Sequence, residues 1–216
     1  SSVEPMDVDE RLIEAVAGLP KVARHFHIPL QSGDDAVLAM MNRKYSTLDY
    51  ERIVERIREA ISPVAITTDI MAGFPGETRE MFLNSCKFAR RMGFSRMHVF
   101  KYSKRPGTPA ALMSGQVDSA TKRIRSEKMI GLGLELACRF CRSLVGMQEE
   151  ALVEDHDPER AMAFGLGSTY VRMELPGSES LVGRLVRVNV VGAEGDLIHA
   201  ERLSSDEEGF EDLGEK

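Results

Sequence analysis

Residues 64–74, VAITTDIMAGF, constrain the fold more than any other stretch of the chain. The run is apolar and β-branched with almost no alternation, which suits a strand covered on both faces, as parallel sheets require. It breaks off in GFPGET, where Thr78 is placed to cap a helix running to about Met92. The same order occurs before it: Phe26 to Leu30, a Gln-Ser-Gly-Asp-Asp turn, and a helix over 34–43 capped by Asp34 or Asp35. It occurs again in SRMHVFKYS followed by the loop KRPGTPAA. Strand then helix, repeated about three times, predicts α/β architecture with a parallel sheet, and so few units suggest part of a barrel. In such sheets ligands bind at the carboxyl ends of the strands.

Helical periodicity over 7–18 places Val8, Leu12, Ile13 and Val16 on one face, with Gly18 as C-cap. A strand is expected at about 23–30. A helix over 47–60, with Thr47 as N-cap, turns Leu48, Ile53, Val54, Ile57 and Ala60 inward. A long helix over 119–143 reads as a connector. From Leu144 the pattern changes to short strands punctuated by glycine, which predicts a small closed β-barrel of the kind that binds oligonucleotides. The expected organisation is therefore 1–118, connector 119–143, barrel 144–203, and an acidic tail 204–216 expected to be disordered.

The formal charge of −6 would argue against a nucleic-acid partner, but the charge is segregated. Arg90 to Arg105 holds six basic residues and no acidic one, whereas Glu201 to Lys216 holds seven acids against two bases. The basic stretch reads equally as a solvated face or an RNA contact. No apolar run approaches the roughly 20 residues of a membrane span, and no secretory signal pattern opens the chain. With three cysteines and no disulfide framework, the chain is expected to be cytoplasmic.

The pair CRFC (Cys138, Cys141) lacks a second pair at zinc-ribbon spacing and a thioredoxin-like strand, so helix packing is the expected role. Cys86, between Met81 and Phe88, reads as core. No Ser-His-Asp set, HExxH or phosphate-binding GxxxxGK[ST] is present. In GFPGET, Gly73 and Gly76 flank a tight turn that a flat ligand could approach, and Glu77 suits the helix dipole. In YSKRPGTPAA, Tyr102 and Arg105 combine a ring and a guanidinium after a strand.

SSVEP, HIPLQSG, TTDIMAGFPGET and HVFKYSKRPGTPAA, in that order, resemble the later half of the radical-SAM methylthiotransferases. These enzymes insert sulfur and a methyl group into a C–H bond of tRNA or of a ribosomal protein. The closing β-rich segment resembles their RNA-binding TRAM domain. The resemblance implies a partial parallel (β/α) radical-SAM barrel followed by an OB-like TRAM barrel. It implies S-adenosylmethionine and two 4Fe-4S clusters as cofactors; the family's CxxxCxxC motif does not occur here, so no residue of this chain is expected to be catalytic or to bind metal, and the chain alone is expected to be inactive. Residues implied to contact S-adenosylmethionine are Ser2, Glu4, Gln31, Ser32, Gly73, Phe74, Gly76, Tyr102 and Arg105. Residues implied to contact tRNA are Arg96, Lys101, Arg142, Arg172, Arg184 and Arg187. MHVFKYSKRPGTPAALMSGQV is most similar to the branch acting on threonylcarbamoyladenosine beside the anticodon. The isopentenyladenosine and ribosomal-protein branches are the alternatives, and a non-catalytic RNA-binding module is the reading from another class. The full-length enzyme is expected to be a monomer.

Overall fold

A computed structural model describes residues 2–203. The expected acidic tail lies outside the described residues. The chain divides into two compact units, the first ending at Phe140 and the second beginning at Cys141.

The first unit is built on a three-stranded parallel sheet in the order β1 (His25–His27), β2 (Ala65–Ala72), β3 (Arg96–Lys101). Its helices are α1 (Glu10–Gly18), α2 (Asp35–Met40), α3 (Thr47–Ala60), α4 (Arg79–Met92), α5 (Pro109–Leu112) and α6 (Ser119–Ser143), the last running on into the second unit. Alternate residues of β2, Ile66 and Ile70, sit in the main core with Ile53, Val54 and Ile57 of α3, Phe82 and Phe88 of α4, and Met129, Leu132 and Leu136 of α6. Strand alternation then puts Thr67, Asp69 and Met71 on the other face, level with Arg96, His98 and Phe100 of β3.

The expected strand over 23–30 pairs regularly only from His25 to His27. Pro29 has no N–H to give a ladder, so between the backbone bonds of Ile28 and Gln31 to β2 the segment is held by side chains. Tyr50 donates its hydroxyl to the Ile28 carbonyl at 2.7 Å, and Tyr45 donates to Pro29 and Leu30 carbonyls at 3.1 and 3.0 Å. The Leu30 N–H donates to Thr68 Oγ1 at 2.9 Å. A short strand thus ends in a rigid loop, because every backbone group has a buried partner.

Two helix ends differ from expectation. Ser46, not Thr47, caps α3: its hydroxyl accepts from the Asp49 N–H while the Asp49 carboxylate accepts from the Ser46 N–H. An acid three residues on favours Ser46 over its neighbour, the capping-box spacing. The helix expected over 7–18 begins at Glu10, capped by Asp9, after a 3-10 turn at Pro5–Asp7. Gly18 remains inside it, and Leu19 is the C-cap. Thr78 caps α4 as expected, and Gly93 closes that helix in the left-handed conformation with φ 59°.

The second unit is a closed five-stranded barrel, in the order β4 (Gln148–Asp157), β5 (Met162–Gly167), β6 (Arg172–Pro176), β8 (Leu197–Arg202), β7 (Leu185–Glu194). Val153, Ala163, Met173, Leu175, Val186, Val188, Val190 and Ile198 fill its interior. Gly165 is required by a close approach: a Cβ there would collide with the Leu152 carbonyl, beside the register shift between Val153 and Asp155.

Candidate functional site

The carboxyl ends of the three parallel strands gather most of the residues expected at a ligand site. Gln31 has φ 65°, a left-handed conformation that costs a side-chain-bearing residue about 1–3 kcal/mol. It is held there by the backbone of β2, donating its N–H to the Asp69 carbonyl at 2.8 Å and accepting from the Met71 N–H at 2.9 Å. Ser32 behaves differently from expectation. Its buried hydroxyl lies 3.1 Å from that of Ser85 on α4 and accepts from the Asp34 N–H at 3.3 Å, so it ties the turn to a helix. Gly33 is needed at this junction because a Cβ would come within 2.7 Å of Phe88 Cβ.

Ser2 and Glu4 lie beside β1, positioned by the Val3 N–H donating to the His27 carbonyl at 3.0 Å. Both are exposed, and Glu4 pairs with Arg43 at 3.4 Å. Arg105 is exposed in the loop after β3.

The GFPGE turn is covered rather than open. Gly73 (φ 77°) and Gly76 (φ 85°) need glycine's freedom, but the space beside Gly73 is filled by the Lys122 side chain and that beside Gly76 by Met40 Sδ. Phe74 and Tyr102 pack edge to face at 5.4 Å in a cluster with Val37, fringed by Met40, Met71 and Met113. Lys122 Nζ sits 5.0 Å from the centre of the Tyr102 ring. The Tyr102 hydroxyl is buried without a hydrogen-bond partner, an uncompensated cost for a phenol.

Three features of this unit escaped the sequence reading. Glu77, only 1% exposed at its side chain, accepts the Gly73 N–H at 2.9 Å and a 2.6 Å bond from Arg125 Nη1, which also donates to the Glu77 carbonyl at 2.8 Å. Burial pushes the Glu77 carboxyl up, and the Arg125 and Gly73 donors only partly offset it. Glu77 therefore bolts the turn to α6 instead of merely serving the helix dipole. Lys122 is the second such residue. The third feature lies on the sheet face opposite the main core, where His27 Nε2 and His98 Nδ1 each stand 3.4 Å from Asp69 Oδ1. A helix position gives no sign of a partner 48 residues away, and histidines on separate strands have no spacing to read.

Among the residues expected at RNA, Arg96, Lys101, Arg142, Arg184 and Arg187 are exposed. Arg172 is engaged by both oxygens of Asp196 at 2.9 Å.

The family model described as the Radical SAM superfamily matches residues 2–89. The threonylcarbamoyladenosine tRNA methylthiotransferase MtaB of Bacillus subtilis is 36% identical over 198 residues, covering 89% of this chain and 44% of the relative. The tRNA-2-methylthio-N(6)-dimethylallyladenosine synthase of Alkaliphilus oremlandii is 37% identical over 190 residues, covering 87% of this chain and 40% of the relative. Over nearly nine tenths of its length the chain is similar to radical-SAM methylthiotransferases. It spans less than half the length of these methylthiotransferase relatives. Coproporphyrinogen III oxidase (HemN) of Escherichia coli, a radical-SAM enzyme, shares the fold with a TM-score of 0.53 at 17% identity, over 62% of this chain and 31% of that one.

The residues present answer differently for the two cofactor types this methylthiotransferase family implies. An iron–sulfur cluster needs converging thiolates. Cys86 lies in α4 with its thiol pushed up by burial, while Cys138 and Cys141 lie in α6, so these residues do not fit a cluster. For S-adenosylmethionine, the polar groups to consider at the strand ends are Gln31, in its left-handed conformation, and the Tyr102 hydroxyl, buried without a hydrogen-bond partner.

Proposed function

We propose that the chain is the substrate- and S-adenosylmethionine-binding part of an enzyme that adds a methylthio group to C2 of N6-threonylcarbamoyladenosine beside the tRNA anticodon. The observation that carries this reading is the likeness to two kinds of tRNA methylthiotransferase over nearly all of the chain. The threonylcarbamoyl branch is favoured by the strand and loop MHVFKYSKRPGTPAA. Bound S-adenosylmethionine would supply the radical and the methyl group. Gln31, with Glu4 beside it, would bind its amino-acid or ribose end, and the packed pair Phe74 and Tyr102 would back the adenine side of the edge. Gly73 and Gly76 shape the turn that places Phe74, Ser32 fixes the turn after Gln31, and Ser2 and Arg105 flank the edge. Such a protein contributes placement and exclusion of water. A tRNA substrate puts the reaction in the cytoplasm, and no helix among the described residues is long and apolar enough to cross a membrane.

Mass analysis of tRNA nucleosides from cells with and without the full gene tests the substrate. Loss of the methylthio form of threonylcarbamoyladenosine is expected. Loss of methylthio-isopentenyladenosine instead would keep the reaction and overturn the branch, and no change in either would remove tRNA methylthiolation.

The closed barrel supports an RNA-binding role as a TRAM domain, with Arg184 and Arg187 among its contacts and Arg142 before it; Arg96 and Lys101 are the candidates on β3. Cationic side chains dominate affinity for a phosphate backbone. Reversing both Arg184 and Arg187 to Glu is expected to weaken tRNA binding at least about tenfold at low salt and to flatten its salt dependence. Undiminished affinity at low salt would remove the patch. Arg172, exposed on β6 and paired with Asp196, is a further candidate.

A further inference from the structure

The sheet face away from the main core carries a group of side chains that the proposed reaction does not use. His27 on β1, Asp69 on β2 and His98 on β3 stand on three adjacent parallel strands. Their ligand atoms, two imidazole nitrogens and one carboxylate oxygen, lie within 4.8 Å of one another. The spacing decides what they are suited to hold. At 3.4 Å from Asp69 Oδ1, both nitrogens are farther than the roughly 2.7–2.9 Å of a charge-assisted hydrogen bond. Ligands bonded at about 2.0–2.1 Å in a tetrahedral site are separated by about 3.3 Å, close to the two nitrogen-to-oxygen distances of this group. The two rings are tilted at 36° with centres 5.6 Å apart, so they are not stacked on one another.

The outer shell is also in place. His27 Nδ1 lies 2.9 Å from Thr67 Oγ1, which itself lies 2.9 Å from His25 Nε2. With Thr67 accepting the His27 Nδ1–H, the lone pair of His27 Nε2 is directed toward Asp69, the arrangement that orients metal-binding imidazoles. His27 and Asp69 are half-buried, while His98 is exposed on the edge strand.

We propose that His27, Asp69 and His98 bind one divalent first-row transition-metal ion, zinc in the first instance, with a fourth position left for water or a ligand oxygen. Two histidines and one carboxylate with an open position are the donor set of a reactive rather than a purely structural ion. This site is independent of the iron–sulfur chemistry of the family, because it uses no thiolate.

Cobalt(II), a spectroscopic substitute for zinc, tests the site in the 216-residue chain after removal of bound metals with a chelator. One equivalent is expected to bind, to give the visible d–d bands of a four-coordinate nitrogen and oxygen site, and to be displaced by zinc. His98→Gln, on the exposed edge, is expected to lower affinity at least about 100-fold, beyond what loss of a supporting hydrogen bond costs. Asp69→Asn should do the same, and Thr67→Val should weaken binding by about 10–100-fold. No saturable binding by the unaltered chain would overturn the site. So would binding that survives His98→Gln, or bands with the intense charge transfer of cysteine ligation.

Discussion

Arg125→Ala is expected to destabilise the first unit by about 3–5 kcal/mol, because it leaves the Glu77 carboxylate buried with its main partner gone. Glu77 and Arg125 side chains are 1% and 11% exposed, so water cannot replace the lost bond without opening the structure. Arg125 also donates to the Glu77 carbonyl, and its guanidinium lies 5.7 Å from the Phe82 ring, so three contacts are lost together. Urea unfolding followed by far-UV circular dichroism measures the loss. Pairing Arg125→Met with Glu77→Gln removes both charges while keeping an acceptor for the Gly73 N–H, and should recover a large part of the stability. If Arg125→Ala unfolded within about 0.5 kcal/mol of the unaltered chain, the range of ordinary surface substitutions, the bolt between α6 and the GFPGE turn would not exist.

The same pair shows where sequence reading stops. VAITTDIMAGF announced its strand because burial on both faces leaves a compositional mark, and the strand-to-helix order followed from turn and cap residues. The closed barrel was legible from short strands and glycine turns, although its order β4-β5-β6-β8-β7 was not. The family resemblance was carried by residues at strand ends, and the relatives bear it out at the level of tRNA methylthiotransferases. What could not be read were contacts between elements far apart in the chain. Lys122 filling the space beside Gly73, Ser85 taking up the Ser32 hydroxyl, and Arg125 reaching Glu77 all depend on how helices lie against the sheet. Glycine reports that a side chain is excluded without saying what excludes it. Here the occupants are Lys122 and Met40.

The covered turn also sharpens the proposed cofactor site. With Gly73 and Gly76 packed under other side chains and the Tyr102 hydroxyl buried, the polar side chains that reach solvent at this edge include Gln31, Glu4 and Arg105. Gln31 is the most informative of the three. Its backbone is fixed by two hydrogen bonds to β2, so replacing its side chain should leave the loop in place. Alanine also retains the left-handed conformation at similar cost, which separates loss of contact from loss of fold. A hydrogen bond to a charged ligand group contributes about 1.5–3 kcal/mol, at least about a tenfold change in affinity.

Equilibrium affinity for S-adenosylmethionine in the protein expressed from its full gene, compared with its Gln31→Ala and Glu4→Ala variants, is the most direct measurement of whether these strand ends form the cofactor site. The expected result is binding at least about tenfold weaker for Gln31→Ala, with a smaller loss for Glu4→Ala because Arg43 already engages that carboxylate. Unchanged affinity in both variants would contradict the placement of the cofactor at this edge.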